Sequence, residues 1–143
     1  MNSWKGGVDL IYVYLGVGGT LGAISRYSLG IWIGERFGQA FPVHTLTINL
    51  LGCFLLSLFY TLTTTRYLVH PHFRSSFGTG FVGSFTTFST FSYENVTLLQ
   101  SAHYGLALLY IAASLLGGYL FTSLGIRLGN YGKAESSRKV SKR

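Results

Sequence analysis

The residues of this chain that could do chemistry are hydrogen-bond donors rather than nucleophiles or acid–base pairs. Residues 83–94 read GSFTTFSTFSYE, and six of the twelve are Ser or Thr. Arg26 and Asn49 lie in two earlier apolar stretches, and Tyr110 and Ser114 stand four apart in a later one. The neutral O–H and N–H groups of Asn49, Tyr110, Ser114 and the Ser/Thr cluster can replace the water around an ion. With four acidic residues in all, and no Ser/His/Asp or paired-carboxylate arrangement, hydrolytic chemistry has few candidates. The single cysteine, Cys53, belongs to no CxxC or Cys/His spacing and reads as a packing residue. His70 and His72 form an H-x-H pair in a connecting link and read as loop residues.

Such groups need elements that hold them at membrane depth. Of 143 residues, 48% are hydrophobic and only 10% charged, against roughly 25% charged in soluble domains. Four apolar segments, residues 8–33, 44–64, 77–100 and 104–126, are each near the roughly 20 residues a membrane helix needs. They are too long for barrel strands and do not alternate in polarity. The expected fold is therefore an all-α bundle of four transmembrane helices over residues 1–128, with a basic, disordered tail at 129–143. The net charge of +7 is concentrated in that tail, and no basic and aromatic face exists for a nucleic acid. Nine Lys or Arg fall on the side of both termini and one, Arg36, on the other, which predicts cytoplasmic termini. Without the residues after 129 the bias is four to one and keeps its sign.

Each polar residue at membrane depth has two readings. Arg26 either snorkels to the interface or attracts anions to a pore mouth. Asn49 either ties two helices together or donates to an anion. Gly18 and Gly22 share a helix face and permit a close helix contact; the Gly-rich run lacks the GK[ST] of a nucleotide loop. Ser and Thr beside Gly83 can satisfy backbone groups where a helix breaks. A break within residues 83–87 would free carbonyls for a cation and N–H groups for an anion. Phe88 and Phe91, three apart, share a face, either as core or as ring edges turned to an anion. Asn95-Val96-Thr97 fits a glycosylation sequon but lies in or beside a span.

Three motifs, in order, resemble the Fluc (CrcB-type) fluoride channels. Residues 18–27, GGTLGAISRY, look like the family's GGxxGAxxRY; residues 45–54, TLTINLLGCF, like its TLxxNxxGxF; and residues 83–91, GSFTTFSTF, like its GxxTTFSTF. The resemblance implies a passive fluoride channel in the plasma membrane, of bacterial type, exporting the anion from the cytoplasm. It implies a third helix broken near its middle and an antiparallel, dual-topology dimer with two narrow pores. Phe88 and Phe91 would line the pore with Thr87, Asn49 would donate to fluoride, and Arg26 would stand at the entrance. Tyr110 and Ser114 would form a polar track on the fourth helix, with Glu94 beside it. A central structural Na+ would sit on the backbone carbonyls of Gly83 and Thr86. Two positions depart from the pattern. Gly118 stands where the track can carry another hydroxyl, and His44 stands where a Gly often precedes the TL pair.

Two other functions compete. A small four-helix multidrug-type exporter needs a membrane-embedded carboxylate, for which Glu94 is the only deep candidate. A non-transporting membrane subunit would explain the glycines but not the polar third helix. The charge bias favours one orientation, so the partner is either a second copy of this chain or an oppositely oriented paralogue.

Overall fold

The computed structural model describes residues 3–37 and 41–140, with side chains over 10–37 and 41–131. Helix α1 is Ser3–Phe37 and α2 is Val43–Thr65. The third region starts with α3, Pro71–Ser75, and passes directly into a π-helical stretch, Ser76–Val82, and a short α4, Gly83–Phe85. Helix α5 is Phe88–Gln100 and α6 is Tyr104–Val140. Among the described residues there is no strand. Two segments, Val43–Thr65 and Tyr104–Tyr131, are long and apolar enough to cross a membrane. Large apolar side chains stay exposed along both, such as Leu56, Leu115, Leu116 and Leu120, as expected where lipid replaces a second protein layer.

The second link is shorter than the sequence predicts, whereas the third, 101–103, stands where expected. Pro71 occupies the first helical position, where its missing N–H costs nothing. The His70 imidazole caps the turn by accepting from the His72 N–H at 3.3 Å, so the H-x-H pair is a helix cap rather than a free loop. The turn at 101–103 holds Ala102 at a φ of 59°. The basic segment expected to be disordered is helical as far as Val140. Lys133, Ala134, Glu135, Arg138 and Lys139 are good helix formers, and they extend a helix whose nucleation cost is already met. Residues 38–40 of the first link, and Lys142 and Arg143 of the tail, lie outside the described residues.

Glycines set the packing. A Cβ on Gly18 would strike the Ser76 backbone, and one on Gly22 the Phe81 carbonyl. Helix α1 therefore lies against the π-helical stretch at a distance only glycine permits. Gly125 and Gly129 play the same part for α6, against Phe54, Ser57 and Thr61 of α2. Phe77, Phe81 and Phe85 stack one turn apart, with ring centroids 5.5 and 5.8 Å from one another. These contacts hold the chain leading into residues 86 and 87.

Candidate functional site

The site is built around two extended residues. Thr86 has φ −82° and ψ 161°, and Thr87 has φ −148° and ψ 118°. Gly83, by contrast, is helical. Two residues out of the helical register leave backbone groups that must find other partners. Asn49 supplies them from α2: the Thr87 N–H donates to Asn49 Oδ1 at 2.9 Å, and Asn49 Nδ2 donates to the Thr87 carbonyl at 3.0 Å. Thr87 then caps α5, its hydroxyl accepting from the Thr90 N–H at 3.2 Å.

These substitutions have a consequence for the carbonyls. In an unbroken helix the Thr87 N–H would serve the Gly83 carbonyl, and the Thr90 N–H would serve the Thr86 carbonyl. The first goes to Asn49 and the second to the Thr87 hydroxyl. Among the described residues no other donor reaches either oxygen. Two main-chain carbonyls are thus free beside the break. Asn49, having used Oδ1 and one N–H, retains a second N–H.

Further along α5, Glu94 gathers partners from two other helices. Thr45 Oγ1 donates to its Oε1 at 2.8 Å, and the Tyr110 hydroxyl donates to Oε2 at 2.8 Å. His44 Nε2 stands 3.2 Å from Oε1. Tyr110 and Thr45 are almost wholly buried. The Phe91 ring meets Tyr110 edge-on, with centroids 4.8 Å apart. Ser114, one turn beyond Tyr110, has a buried hydroxyl with no partner. Tyr110 and Ser114 thus form a polar strip on α6, half engaged by Glu94 and half free. Gly118, next along it, faces Cys53 of α2, whose Sγ stands 3.7 Å from where a Cβ would lie, an ordinary contact.

Phe88 and Phe91 are neighbours, their centroids 5.8 Å apart at 36°. They differ in exposure: Phe91 is half-buried, whereas Phe88 is 79% exposed. Two cavities meet at Thr87. One, of about 360 Å³, is lined by Arg26 and Tyr27 of α1, His44 and Thr45 of α2, and Thr87 and Thr90. The other, of about 290 Å³, is lined by Asn49, Cys53, Thr86 and Phe88 among others. Arg26 therefore lines a cavity, mostly apolar in surface, that it shares with His44, Thr45, Thr87 and Thr90. Asn95 is buried, its side chain donating to the Phe91 carbonyl at 2.8 Å, so the sequon is a helix-internal contact.

Sequence reasoning missed two features. The π-helical stretch has no local signature; the glycines at 78 and 80, packed against Tyr60 and Leu15, are its nearest signal. The His44–Glu94 pair joins residues far apart in sequence, and only the unusual type of His44 pointed to it.

The sequence is similar to those of known proteins. The profile of a family described as CrcB-like protein, camphor resistance (CrcB), matches residues 13–126. A protein of Bacillus thuringiensis subsp. konkukian named "Fluoride-specific ion channel FluC 1" is 48% identical over 122 residues, 85% of this chain and 89% of the relative. One of Acidobacterium capsulatum, named "Fluoride-specific ion channel FluC", is 44% identical over 119 residues, 83% and 95% of the two chains. One of Chloroflexus aurantiacus with that name is 41% identical over 117 residues, 82% and 93%.

Proposed function

This chain belongs to the CrcB-like protein family, and on that premise we propose that it is a fluoride-specific ion channel of the membrane rather than an enzyme. The observation that carries the reading is the likeness to proteins of that name over more than four-fifths of the chain. The matched region contains Arg26, Asn49, the Thr86–Thr87 break, Glu94 and the Tyr110–Ser114 strip. Fluoride is small and strongly hydrated, so a pore must offer donors close enough to replace water and weak enough to release the ion. Neutral hydroxyls, an amide and ring edges meet that compromise better than buried cations. Export needs no fuel: the membrane potential drives the anion out of the cytoplasm.

In this reading the spare N–H of Asn49, the hydroxyls around Thr87 and the edges of Phe88 and Phe91 form one side of the path. Tyr110 and Ser114 continue it, and Arg26 draws anions to its mouth. The exposure of Phe88 supports an assembly in which a second, antiparallel subunit covers that ring and completes the pore. The unpaired carbonyls of Gly83 and Thr86 support a structural Na+ shared at that interface. Sodium is a hard cation that takes main-chain oxygens, and these two would hold it without a charged side chain. The channel domain is residues 1–128, crossing the plasma membrane several times, and the lysines and arginines favour cytoplasmic termini. That bias supports a heterodimer with an oppositely oriented paralogue as an alternative to a homodimer.

Fluoride-electrode efflux from liposomes containing the purified protein tests the function. Efflux well above protein-free liposomes, with chloride rejected, is expected. Fluoride moving no faster than through bare lipid, both alone and with an oppositely oriented relative added, or chloride moving equally well, would overturn the reading.

A further inference from the structure

The position of His44 carries a consequence for permeation. Its imidazole lines the cavity shared with Arg26, Thr87 and Thr90, and its Nε2 is 3.2 Å from Glu94 Oε1. The two side chains differ in access to water, 36% exposed for His44 and 16% for Glu94. A proton can therefore come and go on the imidazole while the carboxylate stays enclosed. Glu94 in turn occupies the Tyr110 hydroxyl and the Thr45 hydroxyl. Both donors are ones an anion would use, and the carboxylate beside them repels that anion.

We propose that His44 is a positioning residue that makes fluoride permeation pH-dependent, its imidazolium compensating Glu94 beside the polar strip. The inference rests on the channel reading above. The charged and titratable groups around the imidazole are Arg26 and Tyr27 from α1, Glu94 from α5 and, beyond the carboxylate, Tyr110 from α6. With His44 neutral, Arg26 and Glu94 cancel in this region. With His44 protonated the region gains one positive charge, and Glu94 is held by a charge-assisted contact on its Oε1 side. Both effects lower the barrier for an anion. Permeation therefore rises as pH falls and His44 takes up a proton.

The test is fluoride efflux from liposomes at equal internal and external pH, with the voltage clamped by a potassium gradient and valinomycin. Leak of neutral hydrogen fluoride is subtracted with protein-free liposomes. Between about pH 7.5 and about pH 5.5 the wild-type rate per channel is expected to rise roughly three- to tenfold, the scale of one added charge at a pore mouth. His44→Gln keeps a polar side chain of similar reach and is expected to flatten the profile at the slow level. His44→Lys carries a permanent charge and is expected to flatten it at the fast level. A flat wild-type profile with robust flux overturns this inference alone, without appeal to any variant. A His44→Gln protein that keeps the full rise also overturns it, because the titrating group is then elsewhere. Absence of flux at every pH, both alone and with an oppositely oriented relative added, overturns the channel reading itself.

Discussion

The side-chain amide of Asn49 and the main-chain peptide groups of Thr87 form a two-way clamp, one bond in each direction, 2.9 and 3.0 Å long. The amide imitates a strand edge and lets the chain leave helical geometry beside α2. Thr87 is 9% exposed, so water does not substitute freely for Asn49. Asn49→Ala is expected to cost roughly 2–6 kcal/mol, one to three for each of the two orphaned groups, seen as a lower unfolding temperature in detergent. Asn49→Asp keeps the acceptor for the Thr87 N–H but loses both donors. It is expected to retain more stability than the alanine variant yet conduct fluoride at least tenfold more slowly.

The two phenylalanines are expected to separate function from stability. Phe88 is 79% exposed in the subunit, so Phe88→Ile is expected to leave subunit folding nearly unchanged while lowering fluoride efflux. Phe91→Ile also loses an edge contact to Tyr110, worth about 0.5–1.5 kcal/mol. Its unfolding temperature is expected to drop along with its flux. Normal conduction by both variants would remove the rings from the pore while leaving the family assignment intact.

Removing sodium by exhaustive dialysis into N-methylglucamine is expected to reduce flux and loosen the assembly, read by efflux and by size-exclusion profile. Because the proposed ligands are carbonyls, Thr86→Val is expected to keep sodium-dependent flux. It loses the hydroxyl bond to the Val82 carbonyl, at about 1 kcal/mol. Flux indifferent to sodium would rule out the ion.

Packing glycines are expected to differ sharply in tolerance. A Cβ on Gly22 meets the Phe81 carbonyl, whereas one on Gly16 meets open space. Gly22→Leu is expected to abolish the monodisperse species on gel filtration. Gly16→Ala is expected to be neutral or to stabilise by about 0.5–1 kcal/mol through helix propensity.

Orientation is checked by expressing this chain alone. Robust efflux from the purified single chain would exclude a required paralogue. Little efflux alone, restored by an oppositely oriented relative, is expected for a heterodimer.

Much of this was legible because it is local. Apolar runs of the right length are visible in composition, and their helical state follows from the backbone's need to bond within itself in lipid. The interruption near Thr86 and Thr87 was also visible, since a Gly followed by clustered Ser and Thr is the local chemistry that replaces helical bonds. Other features depended on residues far apart. Asn49 meets Thr87 across 38 positions and Thr45 meets Glu94 across 49, and no periodicity within one helix encodes such a meeting. For that reason Asn49 carried two readings in the sequence, and the structure shows the interhelical bond with one donor left over.

Residue types alone pointed to neutral donors in apolar segments, few carboxylates and a segment, 83–87, where a helix could break. Tertiary structure decided what each donor faces. Gly18 and Gly22 allow α1 to approach the π-helical stretch closely, and Arg26 of α1 lines one cavity with His44 of α2. Packing of α2 and α6 put Cys53 against Gly118, and Glu94 took the hydroxyl of Tyr110 while Ser114 stayed unpaired. The physical reason is the range of the interactions. Span formation is a property of one segment and its solvent, whereas a hydrogen bond between helices exists only after several segments have packed.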